Sequence, residues 1–75
     1  MDLKGAKRIV LAQYQYPKQT ISKSYYGNLG DDSVFGFIVG DGYDNHFVIV
    51  YSDGEMREIT GPLVGSVARS LKEVQ

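Results

Sequence analysis

Val34-Phe35-Gly36-Phe37-Ile38-Val39-Gly40-Asp41-Gly42-Tyr43-Asp44-Asn45-His46-Phe47-Val48-Ile49-Val50-Tyr51-Ser52-Asp53-Gly54-Glu55 is the stretch that decides the fold. Residues 34–39 and 46–51 are runs of β-branched and aromatic residues separated by a cluster of Gly, Asp and Asn, the composition of two strands and a turn. Both runs are apolar on both faces. That predicts central strands in a sheet that is covered on each side or rolled up. Gly36 within the first run predicts a bend, a bulge or a close backbone approach. Asp53-Gly54 predicts a type I′ turn, with positive φ at both residues. A third strand over 55–60 follows; Met56 and Ile59 are three apart, so it is expected to be bulged or to lie at an edge.

Towards the C-terminus, Gly61-Pro62 stops the sheet and opens a helix, because proline cannot extend a ladder but suits a first helical turn. Leu63, Val67, Leu71 and Val74 recur at spacings of four, four and three, widened by Val64 and Ala68. This predicts an amphipathic helix over 63–74 that lids the core, with a docking helix for a partner as the sharper reading.

The N-terminal third reads two ways. Leu3, Ala6, Val10 and Tyr14 fit a helix with Asp2 as N-cap, while residues 8–16 also read as a strand ended by Pro17. Gly5 weakens the helix and the aromatics beyond Ala12 favour the strand, so the strand is expected. A further strand is expected over 20–26, before a loop over 27–32. The sum is a β-rich α+β domain of about five strands, a small antiparallel sheet or a barrel, with a C-terminal amphipathic helix.

Within this pattern, Gly36-Phe37-Ile38-Val39, the acidic turn, and residues 47–55 followed by Ile59 resemble the central hairpins of SH3-like barrels, of the Tudor and chromo-barrel kind. The resemblance covers about a third of the chain and implies a small barrel. The chain differs from Tudor domains in having no Trp and a longer C-terminal helix.

Length and composition bound the rest. Seventy-five residues predict one domain, residues 1–75. With no Cys and one His, neither disulfides nor a thiolate metal site is possible, and no cofactor is expected. The apolar run 9–12 is too short for a signal segment or a membrane span, so a cytoplasmic protein without membrane contact is expected. The net charge of −1 is unevenly distributed. Residues 1–25 carry five cations against Asp2 alone, and residues 26–60 carry seven acids against Arg57 alone.

Catalytic chemistry has little to build on. A Ser-His-Asp set would draw on Ser33 or Ser52, His46 and Asp44, and no strand–turn–helix elbow surrounds either serine. Asp41, Asp44, Asn45 and His46 are donors without calcium-loop spacing, and the turn itself calls for Asp and Asn. The tyrosines say more. Tyr14, Tyr16, Tyr25 and Tyr26 lie in the basic third, and tyrosines beside cations suit either a protein interface or base stacking. Tyr25 and Tyr26 must point to opposite faces of a strand.

Asp31, Asp32, Asp41, Asp44, Asp53 and Glu55 offer an acidic surface, although 31–32 and 53–55 read as flanking opposite ends of the meander. The expected function is a non-enzymatic protein-binding module, a homodimer or a small inhibitor or adaptor of the sort phages make, that meets a basic partner surface. Its expected contact residues are Tyr14, Tyr16, Tyr25, Tyr26, Asp41, Tyr43, Asp44 and Asp53. The alternative is a nucleic-acid-binding barrel using Lys7, Arg8, Lys18, Lys23 and the nearby tyrosines.

Overall fold

A computed structural model describes residues 2–14, 19–41 and 43–74. In chain order the elements are α1 (Leu3–Gln13), β1 (Thr20–Leu29), β2 (Asp32–Gly40), β3 (Asn45–Tyr51), β4 (Met56–Ile59), α2 (Leu63–Ser70) and β5 (Leu71–Val74). The strands form one open sheet in the order β4-β3-β2-β1-β5, antiparallel at every pairing. The β-rich α+β class is thus realised as an open antiparallel sheet with a helix on each face.

The doubly apolar runs do become the centre of the sheet. Phe37, Val39, Val48 and Val50 point to one face and are sealed by Ala6 and Val10 of α1. Val34, Phe47 and Ile49 point to the other, where Leu71 seals them and Val64, Val67 and Ala68 of α2 pack alongside. Gly36 serves close approach rather than a bend. A methyl there would lie 3.0 Å from Leu71 Cδ1 and 3.1 Å from Phe47 Cζ, so its absence makes room for both side chains.

Of the N-terminal strand expected over 8–16, residues 8–13 belong instead to α1. The Asp2 carboxylate accepts the Gly5 N–H at 2.8 Å, satisfying one of the orphan donors of the first turn. Ala6 and Val10 then fall four apart and fully buried, and covering the apolar face of β2 and β3 outweighs the cost of Gly5 in the helix. Tyr16 lies outside the described residues.

The C-terminal helix also departs from expectation. It ends at Ser70, and residues 71–74 pair with 24–27 of β1 as the sheet's second edge. The connection runs from one edge of the sheet to the other. An eight-residue helix spans about 12 Å, whereas five strands spread over about 19 Å, so residues 60–62 before α2 complete the crossing.

β1 runs on to Leu29, and the expected loop over 27–32 shrinks to Gly30 and Asp31. The β3–β4 connection differs from a type I′ turn, because among the described residues only glycines take positive φ. Gly54, at φ 91°, donates its N–H to the Tyr51 carbonyl at 2.9 Å, and the Tyr51 N–H reaches Glu55 O at 2.8 Å. This is the pattern of a three-residue hairpin loop with a glycine bulge. β4 keeps regular register with β3 and lies at an edge.

Because β1 and β3 run in the same direction, the turns that follow them lie together. Asp32, Asp53 and Glu55 therefore line one depression, correcting the expectation that 31–32 and 53–55 flank opposite ends. Asp41 and Asp44, in the β2–β3 turn, lie at the other end. No helix among the described residues is long and apolar enough to cross a membrane.

Candidate functional site

The end of the sheet that carries the β2–β3 turn gathers four of the expected contact residues. Asp41 Oδ1 accepts the N–H groups of Tyr43 and Asp44, each at 2.9 Å. This is the side-chain-to-backbone bonding that Asp offers a turn. These bonds, that from Asp44 foremost and that from Tyr43 next, hold the Asp41 carboxyl below its ordinary value of 3.8. Held by its amide in this way, Tyr43 is 98% exposed.

Beside the turn, three elements meet at one carboxylate. Tyr14, the C-cap of α1, donates its hydroxyl to Glu58 Oε1 at 3.1 Å. His46 Nδ1, at the start of β3, lies 2.6 Å from the same oxygen, the N–H donating to the carboxylate. The Tyr14 and His46 rings are 5.6 Å apart. Burial first, then the hydrogen bond to Glu58 and its negative charge, push the Tyr14 phenol up to about 12. Tyr14 is thus a structural link between α1 and the β4 edge, with its donor already engaged.

Around the edge of β3 and β4 the sheet opens into a cleft of about 270 Å³. Ile38, Phe47 and Ile59 line it from the strands and Val64 from the first turn of α2. Asn45, His46, Glu58, Thr60 and Gly61 complete its wall, which contains no Lys or Arg among the described residues. It forms because α2, crossing towards β5, makes its main contacts with β1 and β5, so its start leaves the ends of β3 and β4 incompletely covered.

The other expected residues lie elsewhere. Asp53, at the far end, accepts the Glu55 N–H at 2.8 Å and so serves its own turn. Tyr25 lies on the α2 face with its ring 5.6 Å from Phe47. Tyr26, on the α1 face, is 45% exposed and packs on Phe35 at 4.9 Å; the two point to opposite faces as expected. Of the basic residues, Lys7 and Lys23 share a groove at the β1–β5 edge, where Lys23 Nζ lies 3.6 Å from Glu73. His46 is separated by the length of the sheet from Ser52 and Ser33, whose Oγ donates to Asn28.

Sequence reasoning missed Glu58 and the apolar lining as parts of a site. Among the described residues no group of three or more His, Cys, Asp or Glu is placed to hold a metal ion. Compared with known protein families, curated proteins and solved structures, the chain matches none of them.

Proposed function

We propose that this chain is a non-enzymatic protein-binding module, of the inhibitor or adaptor type, that meets a basic surface of its partner with the β2–β3 end of its sheet. One observation carries the reading: Tyr43, 98% exposed, stands on a turn fixed by Asp41 beside an apolar cleft with an acidic rim. A tyrosine combines large apolar area with a polar tip and few rotatable bonds, which makes it an interface anchor at low entropic cost. Asp41, Asp44 and Glu58 steer positive partners towards it and repel phosphate backbones. This narrows the acidic surface to one end of the molecule, without Asp53. The likeness to SH3-like barrels belongs to the same proposal, at the level of the hairpins alone.

The test is to identify a protein retained by the immobilised chain and to measure its binding kinetics against variants. Tyr43→Ala should raise the off-rate. Asp44→Lys should lower the on-rate and flatten its salt dependence. Asp53→Lys, at the far end, should leave both near wild type. Equal binding by Tyr43→Ala, Asp44→Lys and wild type overturns the reading.

A further inference from the structure

The cleft beside Tyr43 has a chemistry of its own. Its floor is Ile38, Phe47, Ile59 and Val64, and among the described residues its charged or ionisable wall groups are Glu58 and His46. One oxygen of Glu58 takes the His46 and Tyr14 donors on the α1 side of β4, across this edge strand from the apolar floor. A carboxylate has a second oxygen and further lone pairs available to an incoming cation. Asp41 and Asp44 add negative charge on the turn that leads into the cleft wall at Asn45.

We propose that this cleft receives one aliphatic or aromatic side chain from a basic segment of another protein, with a neighbouring Lys or Arg of that segment meeting Asp44 or reaching across the β4 edge to Glu58. The proposal rests on the module reading above and gives its partner a chemistry. Burying one side chain in an apolar cleft supplies affinity, and the acidic rim selects its flanking charges.

Charge also discriminates among occupants. A second copy could offer its own Tyr43 to the cleft, but a twofold arrangement would bring two sets of Asp41, Asp44 and Glu58 face to face, and like charges so placed are costly. Single-stranded nucleic acid offers bases to Tyr43, and its phosphates meet the same acids. A basic peptide is the one of the three that the rim attracts.

The experiment uses residues 1–75 and three fluorescein-labelled peptides at low salt: Arg-Arg-Leu-Arg-Arg, the same peptide with central Gly, and Glu-Glu-Leu-Glu-Glu. The first should bind by anisotropy and shift the methyl resonances of Ile38, Ile59 and Val64. Replacing its Leu by Gly should weaken binding by about tenfold or more, and the acidic peptide should not bind. Thr60→Arg, at an exposed wall position, should weaken the first peptide without unfolding the chain.

Equal binding of the Leu and Gly peptides with unmoved methyls overturns the occupant, as does absence of binding by all three. A dimer in sedimentation that Thr60→Arg abolishes overturns it in favour of a second copy. If a captured partner is lost on Tyr43→Ala but retained by Thr60→Arg, the module reading stands and the cleft proposal falls. If both variants retain it, both fall.

Discussion

α1 and α2 lie on opposite faces of the same sheet, and they are held in opposite ways. α1 starts on an Asp cap and places Ala6 and Val10 in the core with no exposure at all. α2 has no side-chain cap, buries no residue fully, carries Gly65 in its interior and leaves Leu63 64% exposed. The face beneath it is closed mainly by Leu71, which belongs to β5. A sheet that is apolar on both sides needs two covers. Here one is a tight cover and the other is a tether that spans the sheet, and the cleft opens where the tether begins. The proposed interface lies on the side that the chain's own packing leaves least complete.

The strongest break of this comparison is at the seal itself. Leu71→Ala removes a buried side chain from between Phe47, Gly27 and Gly36 and should cost about 3 kcal/mol, the middle of the range for buried Leu-to-Ala changes. Leu63→Ala, one helix away, should change stability by no more than about 0.5 kcal/mol. Urea unfolding of the two variants measures both. Similar losses would mean that α2 itself, not Leu71, covers that face.

A finer test compares the helices through their backbones. Asp2→Ala deletes the acceptor for Gly5 N–H and should cost about 1 kcal/mol. Gly65→Ala should do the reverse, stabilising by about 0.5 kcal/mol or slightly more, because the helix interior disfavours Gly. The added Cβ would meet only Arg69 Nη2, at 3.6 Å, an ordinary contact. Thermal unfolding gives both signs. A destabilised Gly65→Ala would show that α2 relies on features other than its helical propensity.

The same contrast explains what could be read from the sequence. The strands within 34–59 were legible because β-formers on both faces and Asp-rich turns agreed, although the loop at Asp53-Gly54 took another form than the one expected. Residues 8–16 were not, because Ile9-Val10-Leu11 fits a strand as well as a helix. The deciding term lies elsewhere, in the apolar face of Phe37, Val39, Val48 and Val50 that needs a helix upon it. Leu71–Val74 extends the helical spacing of Leu63 and Val67. Its pairing with residues 24–27 is a contact across more than forty residues that no local pattern encodes. In the site, Tyr43, Asp41 and Asp44 were visible as turn residues, and Asp53 was grouped with them by charge alone. Glu58 could have been found by counting back from the Asp53-Gly54 loop. That count sets Val48 opposite Glu58, with His46 on the same face two residues away.

The smallest expected effect concerns the turn that shares the cleft wall with α2, since Asn45 follows it and Val64 opens the helix opposite. The Asp41 carboxylate accepts the Asp44 and Tyr43 amides, and its folded pKa lies below the ordinary 3.8. A depressed carboxyl contributes its stabilisation above the unfolded value and loses it as pH falls through the folded one. The turn should therefore stay formed at pH 4 and loosen only in stronger acid. The Tyr43 and Asp44 amide resonances should titrate together with a midpoint below 3.8. In Asp41→Asn that acid titration should vanish, because the amide carries no charge to lose. A midpoint at or above 3.8 would mean that the carboxylate does not hold these amides. Tyr43 would then present itself from a loose loop, and the entropic advantage that makes it an anchor would be gone.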